Sequence, residues 1–287
     1  MFLTYSEKWA LTTYAERRQE AELRAEVVRI SRLMWEKGFV AASDGNVSAR
    51  LGRDRLLATP SGHSKGFLST ADVVLCDLEG RPVRSSYQSG SKREPSSEIL
   101  LHLAVYRHRA DVRAVVHAHP PTAIAFSIAG ISLAQCVLPE VVVNLGTVPT
   151  TAYATPSSLE GPQVIRDLIR DHDALILDRH GTVTVGETLF EAYMKLEKVE
   201  HLAKVTLAAR QLGRVGLLPP EEVQKLIEVR REKLGLPADY EGPGCINCGA
   251  CGRDTSSTPS SDAGLSEDEI VRRVAEMVTR EVQKQAP

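Results

Sequence analysis

The sequence predicts an α/β fold, in which amphipathic helices alternate with short apolar strands. Segment 16–37 carries Val27, Ile30 and Leu33 at helical spacing and is followed by Gly38, a common helix stop. Shorter apolar runs come next, separated by glycine, proline and aspartate, and this pattern is typical of strands joined by turns. Strands are predicted at 56–58, 73–76 and 114–116, and a hairpin is predicted from 174–177 and 182–185.

Later apolar patterns predict further helices and divide the chain into three parts. Helices are expected at 96–108, after Pro95, and within 188–213 and 217–235, so the main domain is predicted to be 1–236. Segment 237–264 is rich in Gly, Pro, Ser and Thr and is predicted to be a flexible linker. Segment 265–287 begins with a capping-box pattern and is predicted to be an amphipathic C-terminal helix.

Composition argues against two classes of partner. The chain has 287 residues, 43% of them hydrophobic and 25% charged, with a formal net charge of -2. No basic excess favours nucleic acid, and no apolar run approaches the roughly 20 residues of a membrane span. The N-terminus also lacks the apolar stretch of a signal peptide, so we expect a cytoplasmic protein. Cys76 and Cys136 lie in apolar segments and are expected to be buried thiols.

Three histidines have settings that favour a metal ion. His117 and His119 are spaced i, i+2 in a predicted strand, so their side chains point to the same face. His180 precedes Gly181 at a predicted tight turn and can supply a third ligand. Catalytic zinc sites typically use three protein ligands and keep one position open. Single histidines also serve packing, but the three together favour Zn²⁺ or another divalent metal.

Several other motifs have both a functional and an ordinary interpretation. Glu98 is placed in the first turn of the helix before the H-x-H strand, where a carboxylate also simply favours the helix dipole. Segments 43–48 and 59–62 are typical of anion cradles and equally of turns. The C-x-x-C-x-x-C pattern suits a second metal site, an iron–sulfur centre or a redox site, or consists of three reduced, solvated thiols; its residues are Cys245, Cys248 and Cys251.

Together these motifs resemble the class II aldolase/adducin-head family over roughly 20–212. The resemblance implies a three-layer α/β/α sandwich with a central, mostly antiparallel sheet, and a homotetramer with active sites at subunit interfaces. It also implies zinc on the three histidines and Glu98 as the catalytic residue. The segments that carry the resemblance are 43–48, 59–62, 96–98 with His102, 117–120, 153–155 and 180–181. The implied phosphate-binding residues are Gly45, Asn46, Thr59, Ser61, Gly62, Ser96 and Ser97.

The implied activity is that of a zinc-dependent aldolase. It would cleave a ketose 1-phosphate, similar to L-fuculose 1-phosphate or L-rhamnulose 1-phosphate, to dihydroxyacetone phosphate and an aldehyde. Glu98 would shuttle a proton, which calls for a pKa raised toward neutrality. Glutamate rather than aspartate favours the aldolase branch over a 4-epimerase, while a sugar-phosphate dehydratase and a non-catalytic adducin-like module stay open. A tyrosine of fuculose-phosphate aldolases is missing from 136–140, and Tyr153 is a candidate substitute.

The C-terminal part, 237–287, resembles the encapsulation peptides that direct enzymes into bacterial microcompartments. An uncovered apolar helix face favours a groove on another protein. The resemblance implies shell or cargo proteins as partners and the lumen of a microcompartment as the location. The alternative is that this helix packs on its own tetramer.

Overall fold

The computed structural model describes residues 5–83 and 93–236. Its centre is a six-stranded sheet. The apolar runs predicted to be strands all lie in this sheet, together with one strand that the sequence patterns do not predict, β1. The strands are β1 (Asn46–Leu51), β2 (Arg55–Ala58), β3 (Val74–Asp77), β4 (Ala114–Ala118), β5 (Ala174–Leu177) and β6 (Gly181–Gly186).

The strand order is β3-β2-β1-β4-β6-β5, and all neighbouring strands are antiparallel. His117 in β4 lies between Asn46 of β1 on one side and Val183 of β6 on the other. The end of β4, the start of β1 and the start of β6 therefore lie side by side at one end of the central strands. Three segments that are distant in the sequence are joined there.

Helices cover both faces of the sheet. None of the described helices combines the length and hydropathy of a bilayer span. The helices predicted within the described residues are present, but the helix after Pro95 begins at Ile99, which leaves Ser96, Ser97 and Glu98 before its first turn. The helices are α1 (Tyr5–Glu36), α2 (Ile99–His108), α3 (Pro121–Ile128), α4 (Pro139–Leu145), α5 (Glu160–Ile165), α6 (Leu189–Gln211) and α7 (Pro220–Leu234).

Two apolar clusters fix the layers. On one face, Ile30 of α1 and Leu196 of α6 pack with Val116 of β4 in a single buried cluster. On the other face, Leu103 of α2 packs with Val115, the residue before Val116. Side chains alternate across a strand, so β4 contributes to both clusters. The predicted α/β/α sandwich around an antiparallel sheet is confirmed.

The cysteines differ from one another. Cys76 is a free, buried thiol as expected, and burial raises its pKa to about 12. Cys136 is also buried, but it is disulfide-bonded, so the expectation of a thiol is wrong there. The predicted linker at 237–264, its Cys245, Cys248 and Cys251, and the predicted helix at 265–287 lie outside the described residues. They stay predictions.

Candidate metal site

The three predicted histidines and Glu98 meet where β4 ends and β6 begins, at one end of the central strands. His117 lies within β4, His119 follows the end of the strand, and His180 is the last residue before β6. Glu98 precedes α2, whose helix covers this face. The ligand atoms of the four residues all lie within 4.8 Å of one another. The structure thus brings together residues that are 82 positions apart in the chain, from 98 to 180.

A hydrogen bond and a carboxylate contact orient two of the imidazoles toward the centre of the cluster. The Nδ1–H of His117 donates to the carbonyl of Thr182 at 2.9 Å, so Nε2 is the nitrogen that faces the cluster. His119 Nδ1 lies 3.4 Å from the carboxylate of Asp44. The two Nε2 atoms of His117 and His119 are 3.1 Å apart. Such convergence of imidazole nitrogens suits a shared metal ion, with Asp44 and Thr182 in the orienting roles that metal-ligating histidines use.

Gly181 makes this close approach compatible with the backbone. A Cβ at this position would collide with the carbonyl oxygen of Ala118, and it would lie 2.8 Å from His119 Cδ2 and 3.1 Å from His117 Cε1. Any other residue would therefore push on the strand and on two of the histidines. The turn before it is also held from outside, because the N–H of Arg179, which has φ +56°, donates to the Ser127 hydroxyl at 2.9 Å.

Glu98 contacts two of the three histidines. Its Oε2 lies 3.1 Å from His117 Nε2, and its Oε1 lies 3.2 Å from His180 Nε2. The residue is the N-cap of α2, but its side chain makes no capping hydrogen bond. The prediction of first-turn placement is wrong by one residue, and the carboxylate faces the histidines instead of the helix amides.

Burial and neighbouring groups lower the pKa values of both His119 and Glu98. Burial, together with the neighbouring His117 and His180, lowers the pKa of His119 to about 3, so its imidazole is neutral and can bind a metal at neutral pH. Burial by itself would raise the pKa of Glu98, but hydrogen bonds and charge from His117 and His180 outweigh it and hold that pKa well below the usual range. The raised pKa expected for a proton shuttle is not present in this arrangement.

Four of the predicted phosphate-binding residues lie in segments that meet just before α2. The Asn46 side-chain amide donates to Ser96 Oγ at 2.8 Å, and the Ser96 N–H donates to the Thr59 carbonyl at 3.0 Å. Asn46 Oδ1 is buried and has no partner among the described residues. Gly45 has φ +69°, and a Cβ there would lie 2.9 Å from the His117 carbonyl oxygen, so the loop must pass close to β4.

The remaining members of the predicted phosphate set are more exposed. Ser61 and Gly62 lie on the exposed part of the 59–62 loop, where the Ser61 N–H donates to the Glu94 carbonyl at 3.0 Å. Ser97 is exposed, and its hydroxyl lies 3.0 Å from that of Ser157. All seven predicted residues therefore belong to three segments, 45–46, 59–62 and 96–97, and hydrogen bonds join these segments just before α2.

His102, which belongs to a segment that carries the family resemblance, is fully buried one helical turn after Glu98. Its Nδ1 lies 2.6 Å from Ser48 Oγ, and the Tyr106 hydroxyl lies 2.9 Å from the same oxygen. Burial is the largest cause that lowers the pKa of His102 to about 3, so the ring is neutral. This network joins α2 to β1 directly beneath the metal cluster.

Three imidazoles and one carboxylate form a donor set that fits a divalent transition metal. The fold and this site define a layered α/β protein with a candidate metal centre at one end of its central strands. Residues 25–207 match the model of the class II aldolase and adducin N-terminal domain. The chain belongs to that family, and the resemblance inferred from its motifs is confirmed.

Relatives within the family differ in the reactions they are named for. The L-fuculose phosphate aldolase of Methanococcus vannielii is 35% identical over 63% of this chain and 93% of its own length. The 3-oxo-tetronate 4-phosphate decarboxylase of Escherichia coli K12 is also 35% identical, over 65% of this chain and 86% of its own. Among solved structures, the L-fuculose-1-phosphate aldolase of Thermus thermophilus is 30% identical, with a TM-score of 0.59 over 69% of this chain and 100% of its own.

Proposed function

We propose that this protein is a metal-dependent aldolase that cleaves a ketose 1-phosphate to dihydroxyacetone phosphate and an aldehyde. The observation that supports this most directly is the convergence of His117, His119 and His180, with the Glu98 carboxylate beside two of them. Zn²⁺ is the proposed metal, because imidazole is a preferred zinc ligand. The aldolase relative and the aldolase structure are consistent with this reaction.

The proposed division of work follows from the chemistry of the donors. A divalent ion held by the three imidazoles would supply a Lewis acid for the negative charge that develops when the bond beside the carbonyl breaks. Glu98, whose carboxylate lies 3.1 Å from His117 and 3.2 Å from His180, would take or return the proton on the carbon next to that carbonyl. Asn46, Ser96 and their neighbours would hold the phosphate, and the buried His102 network would fix Glu98 relative to β1.

The test measures dihydroxyacetone phosphate released from L-fuculose 1-phosphate and L-rhamnulose 1-phosphate, with and without a chelator. We expect chelator-sensitive release and a fall of about 10²–10⁴ in kcat for Glu98→Gln, the range typical of a lost acid–base group. Glu197→Gln is the matched control, since Glu197 is a partly exposed residue paired with Lys37 at 3.3 Å. Metal-loaded protein that releases nothing from either sugar would exclude the aldolase assignment for these substrates.

A decarboxylase is the second candidate, because the Escherichia coli relative matches equally well. Loss of CO₂ from a 3-oxo acid leaves the same kind of charge beside a carbonyl, so the same metal cluster would serve. The two reactions differ at the leaving group: an aldehyde must give up a hydroxyl proton as it departs, and CO₂ does not. Cys136, in the segment 136–140 that lacks the aldolase tyrosine, is disulfide-bonded and cannot take that proton as a thiolate. Supplying 3-oxo-tetronate 4-phosphate and measuring CO₂ against aldehyde separates the candidates.

A dehydratase, a 4-epimerase and a binding module would each give a different result. A dehydratase would release water and no dihydroxyacetone phosphate, and a 4-epimerase would invert a carbon centre without cleavage. An adducin-like binding module would need no metal, so a stoichiometric ion in gently purified protein would argue against it. Metal analysis by mass spectrometry makes that measurement.

Assembly and location are proposals that the sequence supports. We propose a homotetramer, which light scattering on the purified protein would test; a monomer at micromolar concentration would contradict it. We also propose that 265–287 directs the protein to microcompartment shell or cargo proteins. Unchanged co-assembly with shell proteins after removal of 265–287 would contradict that proposal.

A further inference from the structure

Lys65 is a buried lysine close to the metal site. The residue is 2% exposed, and its ammonium donates to the carbonyls of Ser43 at 2.6 Å and His63 at 2.8 Å. Burial of an ammonium is costly unless the charge is compensated, and both of these partners are neutral. The nearby carboxylates that act on the Lys65 ammonium are Asp44 and Glu98, both at the metal site.

The local sequence Lys65–Phe67 directs this side chain inward. The three residues form a short 3₁₀ turn against α1. A Cβ on Gly66 would lie 2.8 Å from Trp35 Cγ, so only glycine lets the turn approach the indole this closely. Phe67 is 78% exposed, and its ring contacts that of Trp35 with the centroids 5.5 Å apart. Trp35 thus contacts both Gly66 and Phe67, while the Lys65 side chain is buried.

Lys65 joins the two loops that carry the proposed anion-binding groups. Ser43 begins the loop that leads to Gly45 and Asn46, and His63 follows Ser61 and Gly62. All seven of the phosphate-binding residues predicted from the sequence are uncharged, so that set contains no cation for a phosphate dianion. Burial lowers the pKa of Lys65 to about 8, which leaves the amine mostly protonated at neutral pH.

We propose that Lys65 is the cationic residue of the phosphate site, where it ties loops 43–45 and 61–63 into one cradle and supplies the positive charge for a phosphate monoester. The proposal deepens the proposed function and rests on it for the identity of the substrate. Phosphate binding itself can be tested without turnover.

The experiment measures the binding of inorganic phosphate by isothermal titration calorimetry. Wild type, Lys65→Met, Lys65→Arg and the control Lys37→Met are compared as metal-loaded protein, and again after chelation, so that phosphate bound by the metal alone is recognised. Lys65→Met should weaken phosphate binding by about tenfold or more, as expected when a hydrogen-bonded charge partner is lost. Lys65→Arg should recover most of the affinity, and Lys37→Met should bind like wild type.

A second variant keeps the lysine and displaces the turn that carries it. Gly66→Ala keeps the lysine but pushes the turn off Trp35, and we expect weaker phosphate binding with the melting temperature followed in parallel. Wild-type affinity in folded Lys65→Met would overturn the proposal, and so would equal losses in the Met and Arg variants.

The two proposals fail separately. If phosphate binding weakens in Lys65→Met but wild type releases no dihydroxyacetone phosphate from any substrate, the Lys65 proposal stands and the aldolase proposal does not. If release is normal in wild type and phosphate affinity is unchanged in Lys65→Met, the reverse holds.

Discussion

The two ends of the central strands, called here the metal edge and the far edge, carry polar clusters with opposite organisation. Where β4 ends and β6 begins, His117, His119 and His180 converge with Glu98. Where β4 begins and β6 ends, the residue before β5, Asp173, accepts from Arg109 at 2.9 Å and from Lys195 at 2.8 Å. A second carboxylate there, Asp111, also pairs with Arg109 at 2.7 Å.

The difference between the edges indicates which of them needs a ligand. At the far edge each of these carboxylates already faces a permanent cation, so the cluster is complete and serves stability. At the metal edge the nitrogens of His117 and His119 are 3.1 Å apart and direct lone pairs at a common point. Such an arrangement is favourable only with a proton or a metal ion between the donors. A polar cluster is therefore a candidate ligand site when its donor atoms converge without a partner of opposite charge within the cluster.

The largest expected effect comes from placing the same small change at each edge. Gly181→Ala would crowd His119 at 2.8 Å, whereas Gly186→Ala, at the other end of β6, would crowd the Ala192 nitrogen at 2.9 Å. Overpacking should cost each variant about 1–3 kcal/mol of stability. Only Gly181→Ala should also lose metal and activity, by about 10²-fold, because small displacements of catalytic groups have effects of that size.

The measurements are urea unfolding, metal content and release of dihydroxyacetone phosphate for both variants. Equal loss of metal from the two would mean that the edges are not functionally distinct. A Gly181→Ala variant with full metal occupancy would show that the histidines tolerate movement of the strand.

Much of the metal edge was predictable, because its ligands carry local signals. The H-x-H spacing in an apolar strand and His-Gly at a turn are visible in the sequence, and Glu98 is found through its motif. β1 was not predicted, since its inward residues Asn46 and Ser48 are polar and break the apolar alternation of a strand. These polar side chains are explained by tertiary contacts, because Asn46 hydrogen-bonds Ser96, just before α2, and Ser48 hydrogen-bonds His102 within α2.

Residues that act through tertiary contacts gave no local signal. Thr182 orients His117 through its backbone carbonyl, which any residue could supply. Lys65 lies in a segment that is typical of an exposed turn, and its burial depends on contacts with distant residues, such as Ser43, and on the close approach of Gly66 to Trp35. The short helices α3, α4 and α5 were also missed, because six to eight residues are too few for a helical period to stand out.

An intermediate effect is expected from Asp173→Asn at the far edge. Burial by itself would raise the pKa of Asp173, but Lys195 and Arg109 outweigh it and lower that pKa. The ion pairs therefore stabilise the fold above the ordinary Asp pKa of about 4, and this stability is lost as pH falls through the lower pKa of the folded chain. We expect a loss of about 1–3 kcal/mol at pH 7, with metal content unchanged.

Urea unfolding at pH 7 and below pH 4 makes that measurement, with stability of wild type and variant converging in acid. A difference that stays constant down to low pH would show that the carboxylate charge is not what Asp173 contributes. Loss of metal in this variant would instead couple the two edges.

The smallest effect is expected at Glu200, a buried carboxylate that contacts the chain just after His119 and not the histidine cluster itself. Glu200 of α6 accepts from the N–H groups of Thr122 and Ala123 at 3.2 and 3.0 Å. These amides open α3, whose N-cap, Pro120, offers no side-chain acceptor and directly follows His119. Glu200 therefore caps α3 from another helix and fixes the chain directly after His119, a proposed metal ligand.

Glu200→Gln keeps one acceptor oxygen and removes the charge that favours a helix N-terminus. We expect a stability loss of about 1 kcal/mol, the usual size of a lost cap or helix-dipole contact. Metal affinity should fall by only about two- to threefold, since His119 is shifted and not removed, and 1.4 kcal/mol already corresponds to tenfold. Glu197→Gln, one turn earlier on the same helix, is the control. If stability falls while metal affinity is unchanged, Glu200 belongs with the structural carboxylates of the far edge; if both change, the metal edge extends into α6.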